Sequence, residues 1–329
     1  MLRRALVLVC LFTACGASIA PQQSPPLKLE RAIPLPGVDG RLDHLAADLV
    51  DHRVYISALG SDELEVVDLR EGRRVARIED LSDPQGVLYV AARHTIYVAN
   101  GGDGTVRSYD ARTLAHLKTV ALGEDADNLR FDPAHDQVLA AYGAGAIAVL
   151  NPDLSRVRDL RLPVHPESFQ LTPDAMQMFV NLPGNNSIGH IDLATLASAP
   201  DWIDLSVNGN FPMALDAPAH RLLIACRDPR VVLLIDTTSG RILDRLPSVG
   251  DADDLFFDSA AQTAFVIGGE GYIDVLHVGS NHLTSIAHVT TASGARTGLF
   301  VPEWNRLLIA APRRGATPAR LLIYAYSAP

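Results

Sequence analysis

Cysteine is scarce in this sequence. Its 329 residues contain three cysteines, and two of them, Cys10 and Cys15, stand in an apolar N-terminal stretch. Small exported domains without a sufficient core rely on several disulfides. The one cysteine in the body of the chain, Cys226, has no partner for a disulfide within it. We therefore expect the fold to be held by its hydrophobic core.

Long apolar runs and basic charge are also in short supply. No stretch after the N-terminus approaches the roughly 20 apolar residues that a membrane-spanning helix needs. The chain has 28 lysines and arginines against 38 acids, a formal net charge of −10. Nucleic acids and anionic lipid surfaces need a basic face on their partner. We expect no nucleic-acid partner, and no membrane contact except through a lipid anchor.

The N-terminal residues have the composition of an export signal. Two arginines, Arg3 and Arg4, precede an apolar run from Ala5 to Ala14 that is too short to span a bilayer. Two cleavage sites compete, one after Ala20 and one before Cys15, which would then be lipidated. Residues 1–20 are thus a signal peptide or lipoprotein signal, and 21–26 a flexible tether. The protein is expected to be exported, as a periplasmic protein, an outer-membrane lipoprotein or a secreted protein.

The remainder of the chain is a repeat. Its clearest copy, Glu124 to Asn151, predicts a polar loop over 125–128 and then strands at Leu129 to Phe131, Gln137 to Tyr142 and Ala146 to Leu150. The residue that opens the first strand recurs every 40 to 44 residues. These seven positions are Asp43, Gln85, Asp127, Glu167, Phe211, Asp253 and Arg296. Seven copies with room for four strands each predict an all-β fold over 27–329, a seven-bladed β-propeller of four-stranded antiparallel blades.

The two ends of this domain are expected to meet. The seventh copy stops one strand short, whereas a strand pattern from Leu27 to Leu35 stands before the first copy. A ring that is closed by its N-terminal strand has no loose sheet edge. We predict that Leu27 to Leu35 is the outer strand of the last blade.

Four third strands end in an aspartate that is followed by a turn, at Asp68, Asp110, Asp192 and Asp236. Equivalent acids at four positions invite a functional interpretation. Aspartate side chains commonly accept hydrogen bonds from the backbone of a following turn. We therefore expect these residues to cap turns.

The repeat bodies resemble a known family. The segments Thr95 to Asp110 and Ala58 to Leu69 are similar to the YVTN-repeat propellers, also called YncE-like proteins, and the element itself stands at 97–100 as Tyr-Val-Ala-Asn. The resemblance covers essentially all of residues 27 to 326. It implies a seven-bladed, exported propeller, and it implies no catalytic residues because the family has no shared catalytic motif.

A propeller usually binds its ligand at the mouth of the central channel, where the loop that enters each first strand contributes. The aligned mouth positions form an acidic ring with two histidines and a single arginine. The predicted ligand-binding residues are Asp43, His44, Gln85, Asp127, Asn128, His165, Glu167, Phe211, Asp253, Asp254 and Arg296. The loops also bring Asp125 and Ser168 to the ring.

Three interpretations of this ring stay open. The mouth can bind a small-molecule or protein ligand without chemistry, for which a cation or a cationic or polyhydroxylated ligand suits the acids. It can hold a divalent metal and act as a hydrolase or lyase of the lactonase type, with a spare histidine as base. It can also be a solvated acidic surface. The metal ligands would be His44, His165, Asp127, Glu167 and Asp253. We favour ligand binding by a monomer.

Overall fold

The computed structural model describes residues 25–193 and 198–329, with the backbone alone for 198–202. The predicted signal, Cys15 and all but the last two residues of the predicted tether lie outside these residues. Among the described residues, no helix has the length and apolar character needed to cross a membrane.

The described chain folds into seven antiparallel sheets of four strands. Strand β1 (Leu27–Pro34) is followed by blade one, which consists of β2 (Leu45–Asp48), β3 (Arg53–Ala58), β4 (Glu63–Asp68) and β5 (Arg73–Ile78). Blade two contains β6 (Pro84–Val90), β7 (Thr95–Asn100), β8 (Thr105–Asp110) and β9 (His116–Ala121). Blade three contains β10 (Ala126–Asp132), β11 (Gln137–Tyr142), β12 (Ala146–Leu150) and β13 (Arg156–Arg161).

The second half of the ring repeats the same order. Blade four contains β14 (Phe169–Leu171), β15 (Gln177–Leu182), β16 (Ser187–Asp192) and β17 (Ser198–Asp204). Blade five contains β18 (Asn208–Asp216), β19 (Arg221–Asp228), β20 (Arg230–Asp236) and β21 (Ile242–Pro247). Blade six contains β22 (Ala252–Asp258), β23 (Thr263–Gly268), β24 (Tyr272–Val278) and β25 (Leu283–Thr290). Blade seven contains β26 (Thr297–Val301), β27 (Arg306–Ala311) and β28 (Arg320–Tyr326).

Within the described ranges, five short 3-10 helices join strands of these blades. They are Leu59–Ser61, Ala91–Arg93, Pro183–Asn185, Ala217–Ala219 and Pro302–Trp304. Each is followed by a residue in the left-handed region, such as Asp62 at φ 56°. Aspartate and asparagine tolerate this conformation better than β-branched residues do, which suits a tight return of the chain.

The ring closes as predicted. The order in blade seven is β1, β28, β27, β26, so the N-terminal strand is its outer strand. Leu27 pairs with Tyr326 and Pro34 with Arg320, and a further hydrogen bond joins Ser327 N to Pro26 O at 3.0 Å. The first and last described strands therefore share one sheet, and the prediction of a propeller closed by its N-terminal strand is confirmed.

The hydrophobic core lies between neighbouring blades and has no single centre. Between blades two and three, for example, Val90, Tyr97 and Leu129 belong to one buried cluster with Val138. Middle strands such as β7 and β12 are buried along their whole length because other blades cover both of their faces. First strands of neighbouring blades contact one another around the ring and form the wall of the channel.

The aspartates that end third strands cap turns. Asp68 Oδ1 accepts hydrogen bonds from the backbone N–H groups of Arg70 and Glu71 at 2.8 and 2.9 Å. Asp110 and Asp236 do the same for the turns that follow them. For these three residues the prediction is confirmed, and a structural role accounts for the repeated acid.

Candidate functional site

The candidate site is a cavity of about 150 Å³ at the mouth of the channel. Ten of the eleven predicted ligand-binding residues line it. They are His44, Gln85, Asp127, Asn128, His165, Glu167, Phe211, Asp253, Asp254 and Arg296. The eleventh, Asp43, lies behind this surface with only 1% of its area exposed. The aligned repeat positions therefore converge on one cavity.

Bulges in the inner strands explain how consecutive residues reach the cavity together. The pairing of β10 with β11 shifts register between Ala126 and Leu129, and that of β22 with β23 shifts between Ala252 and Asp254. A bulge turns an additional side chain toward one face of a strand. Asp127 and Asn128 consequently both line the mouth. The predicted loop over 125–128 is thus wrong for 126–128, which belong to β10.

Backbones approach closely beneath this bulge. A Cβ atom on Gly86, in the inner strand of blade two, would lie 2.2 Å from the carbonyl oxygen of Asp127. Any side chain there would force the two blades apart. Glycine at this position therefore helps to hold Asp127 in its place at the mouth.

Three arginines, Arg41, Arg227 and Arg296, neutralise one side of the mouth. Arg41 lies 2.9 Å from a carboxylate oxygen of Asp43 and 3.3 Å from one of Asp253. Arg227 lies 2.5 Å from Asp253 and stacks over a phenyl ring, with its guanidinium carbon 3.7 Å from the centre of Phe211. These contacts bind the carboxylates of blades one and six to fixed cations.

The expectation that blade seven supplies the only cation of the mouth was wrong. Arg296 contacts Asp251 at 3.0 Å, but Arg41 and Arg227 line the same cavity. Arg41 stands two residues before the aligned position of blade one, in the same entry loop, and could have been found there. Arg227 is the last residue but one of β19, the second strand of blade five. The loops between second and third strands also reach the mouth, which an alignment of first strands alone does not reveal.

On the opposite side, Asp127, His165 and Glu167 form a compact group. One potential ligand atom from each residue lies within 4.8 Å of the other two. Asp127 is 6% exposed and its Oδ2 accepts a hydrogen bond from the side chain of Asn128 at 3.3 Å. In the described part of the chain, no arginine or lysine nitrogen lies within 4.0 Å of the carboxylates of Asp127 or Glu167.

The ring of His165 is oriented by the backbone. Its Nδ1 lies 2.5 Å from the carbonyl oxygen of Gly143, so the Nδ1 hydrogen is donated there. Nε2 then faces Asp127, 3.9 Å from Oδ2. Metal-binding histidines generally donate their second ring N–H to a carbonyl or carboxylate in this way, which leaves the other nitrogen free for the metal.

The charges of this group depend on one another. Burial raises the pKa of Glu167 to about 8, with a further increase from the charge of Asp127 that His165 opposes. Burial lowers the pKa of His165, but the facing carboxylate of Asp127, the hydrogen bond to Gly143 and other nearby acids raise it more, to about 9. Burial favours the neutral form of Asp127, yet the two histidines lower its pKa. At pH 7 His165 and Glu167 each hold a proton, which a bound cation would replace.

His44 has a different environment. Its Nδ1 lies 3.4 Å from Asp254 and its Nε2 lies 3.7 Å from Asp43. Burial lowers the pKa of His44, but the carboxylate of Asp254 outweighs this effect and raises it to about 10. His44 is therefore a cation at neutral pH. Of the five predicted metal ligands, the structure groups three, while His44 is held by carboxylates and Asp253 by arginines.

Comparisons with known proteins define the class at the level of fold. No family model matches the chain, and neither does any curated protein. A solved structure described as "Crystal Structure of Mitotic Checkpoint Complex" contains a chain with 14% identity and a TM-score of 0.78, with 98% of this chain and 99% of that chain covered. "Kuenenia stuttgartiensis Hydrazine Synthase" contains another with 15% identity and a TM-score of 0.74, covering 85% and 98%.

The architecture and these structural neighbours define the class of the protein as a seven-bladed β-propeller. At such identities the likeness extends to the fold alone. The resemblance to the YVTN-repeat family thus stays a resemblance. The ligand of this protein is therefore inferred from the residues at the mouth of its channel.

Proposed function

We propose that the protein is a binding module that holds a divalent cation at the mouth of its channel through Asp127, His165 and Glu167. The observation that carries this proposal is the compact group of three ligand atoms within 4.8 Å. Two carboxylates and an imidazole suit magnesium, manganese, zinc or iron. Because such metal–ligand distances are about 2.0–2.2 Å, binding would draw the three side chains slightly together.

The distribution of charge also favours cation binding on this side of the mouth. The arginines compensate Asp43, Asp251 and Asp253, whereas within 4.0 Å of Asp127 the described residues provide a histidine nitrogen but no arginine, and Glu167 has no ion pair at that distance. Two carboxylates that close together remain ionised only if positive charge compensates them. A divalent cation supplies that charge directly.

The size of the cavity limits what else can enter. Pockets for drug-sized ligands usually measure about 300–1,000 Å³, and this cavity measures about 150 Å³. It has room for an ion with a few waters, or for one polar group of a larger molecule that rests on the rim. A protein partner would therefore present a single side chain here, which agrees with the general use of propellers as interaction modules.

Binding is favoured over hydrolase or lyase chemistry. A metal-dependent reaction of that kind needs a base beside the metal. Among the described residues the histidines of the mouth are His44 and His165, and both are protonated at neutral pH. His165 would lose its proton to become a ligand, and His44 is held as a cation. Neither of these two histidines is therefore free to act as that base.

Calorimetric titration of the purified protein with Mn²⁺, Zn²⁺, Mg²⁺ and a polyamine tests the proposal. We expect a divalent cation to bind more tightly than about 1 mM, a standard free energy of about −4 kcal/mol. The double variant Asp127→Asn with Glu167→Gln should weaken this binding at least about tenfold, since both carboxylate ligands are lost.

A second double variant provides the control. Asp51→Asn with Glu71→Gln removes the same two charges from exposed positions of blade one and should leave cation binding unchanged. The proposal is refuted if no cation binds more tightly than about millimolar, or if the double variant of the mouth binds as well as the natural protein.

A further inference from the structure

A second cavity, of about 340 Å³, lies in the channel below the mouth. His44, Asn128 and Asp254 line both cavities, so one layer of side chains separates them. The walls of the lower cavity come from the first strands of six blades. Its volume falls within the lower part of the range of about 300–1,000 Å³ that is typical of small-molecule sites.

The lower cavity is amphipathic. The residues three positions after the aligned mouth positions form a second ring. Because a strand rises about 3.3 Å per residue, this ring lies roughly 10 Å further down the channel. Within the lower cavity this ring contributes Ala46, Leu88, Arg130, Gln170, Phe256 and Leu299. The two polar members, Arg130 and Gln170, stand side by side on blades three and four, and the others are apolar.

Arg130 is bound to its surroundings without a counterion. Its Nε donates a hydrogen bond to the carbonyl oxygen of Phe169 at 3.1 Å, and Nη1 donates one to the carbonyl oxygen of Leu129 at 2.8 Å. Nη2 donates a third hydrogen bond to Ser168 Oγ at 3.5 Å. Two of its five N–H groups have no partner among the described residues. No carboxylate oxygen of those residues lies within 4.0 Å, in contrast to the three arginines of the mouth.

An unpaired guanidinium in such a place is unfavourable. Burial lowers the pKa of Arg130, and the carboxylates of Asp254 and Asp127 oppose this effect only from a distance. Arg130 is half-buried, and a charge that is withdrawn from much of the surrounding water is costly unless a partner compensates it. An anion that accepts the two remaining N–H groups would do so.

We infer that the lower cavity binds a small organic carboxylate with a compact apolar body. The two carboxylate oxygens match the fork of a guanidinium, and Gln170 has a second amide hydrogen to offer, since one is donated to Met213 O at 3.4 Å. The apolar body lies against Leu88, Phe256 and Leu299. A dianion fits less well because its second charge would be desolvated against these walls. This site is independent of the cation site, since neither Arg130 nor Gln170 belongs to that group.

Benzoate and its neutral analogue benzamide test the assignment by calorimetry on the purified protein without added metal. We expect benzoate to bind below about 1 mM. Benzamide, of the same shape but without the charge, should bind at least about tenfold more weakly. Arg130→Met should weaken benzoate binding to a similar degree, and Arg130→Lys, which keeps the charge but loses the fork, should retain part of it.

Arg161→Met is the matched control, because Arg161 is exposed on the outer strand of blade three and lines neither cavity. It should bind benzoate like the natural protein. The inference is wrong if benzamide binds as well as benzoate, if Arg130→Met binds benzoate unchanged, or if chloride displaces benzoate completely, which would indicate a site for inorganic anions. The comparison of the two ligands needs no variant, so it decides the matter even if Arg130→Met fails to fold.

Discussion

At the scale of single residues, Arg227 shows how one side chain divides the mouth into two electrostatic halves. It pairs with Asp253, donates to the carbonyl oxygen of Ala252 at 3.0 Å and is held flat against Phe211. An arginine fixed by three partners loses little further entropy and stays where it is. It neutralises the acid of blade six, while among the described residues no arginine forms an ion pair with the acids of blades three and four.

Removing this cation should strengthen cation binding at the mouth. In Arg227→Met, Asp253 loses its closest counter-charge, and the field at Asp127 and Glu167 becomes more negative. We expect the affinity for Mn²⁺ to rise about threefold to tenfold. Calorimetry measures it, with Arg230→Met as control, since Arg230 is exposed and pairs with Glu270 on the rim. Equal or weaker binding in Arg227→Met would contradict the division described above.

Glu65 gives a prediction about pH. It has no exposed surface and lies 2.9 Å from Arg74, and burial raises its pKa from 4.5 to about 7 against the opposing effect of Arg74. Because the folded state holds this proton more tightly than the unfolded state, its contribution to stability falls as pH rises from about 4.5 to about 7. The free energy of unfolding of Glu65→Gln, relative to that of the natural protein, should therefore increase by about 2–3 kcal/mol between pH 4.5 and pH 8.

Urea unfolding at several pH values measures this gain. The control is Glu79→Gln, which changes an exposed acid of the same blade and should leave the pH profile unaltered. If Glu65→Gln and the natural protein have parallel profiles, the carboxyl of Glu65 ionises normally in the folded state and the assignment fails.

At the scale of elements, repeat spacing predicted most of the blades because each strand obeys a local rule. Strands β11 and β12 have the predicted bounds, since alternation and flanking turns define them. The start of β10 was missed because Ala126 to Asn128 are polar or small and read as a loop. A bulge keeps them in the sheet, and bulges have no reliable signature in a single sequence.

Strand β1 is the element on which closure depends. Removing residues 27–34 takes away the buried side chains of Leu27 and Ile33 and exposes the edge of β28. At about 1.5–3 kcal/mol for each buried side chain, this loss alone reaches about 3–6 kcal/mol. We expect a lower melting temperature and aggregation through the free edge. Thermal unfolding and size-exclusion chromatography measure both.

The comparison for this deletion is a chain that begins at residue 25, which keeps all of β1. It should melt like the natural protein and elute as a monomer. Equal stability of the two shortened chains would show that β1 is not needed to close the ring.

At the scale of the whole molecule, period and register sufficed for the fold, whereas the site needed three dimensions. The aligned positions converge because the first strand of every blade in a propeller lines the same central channel. Which acids are compensated could not be predicted, since Arg41 and Arg227 reach their partners across different blades. The unpaired Arg130 was missed for the same reason. Its place in the second ring is visible in the alignment only once the channel is known.

Export is a prediction about the whole molecule that rests on the sequence before residue 25. We propose that the protein leaves the cytoplasm, and that Cys15 is lipidated because it stands where the apolar run ends. Cys15→Ser should then release the protein from the membrane fraction or block its processing. Fractionation and N-terminal sequencing measure this. A natural protein that is fully soluble and begins at Pro21 would indicate ordinary secretion.

The pairing of β1 with β28 also determines how the molecule responds to mechanical force. Leu27 faces Tyr326, so the two chain ends leave the ladder at the same end. Tension between the ends therefore loads one hydrogen-bonded pair at a time and peels the strands apart, whereas pulling from opposite ends would load every pair at once. In an optical trap the first extension should occur at low force and release the eight residues of β1 before any blade ruptures. A single high-force event at the start would show that the seam resists as a unit.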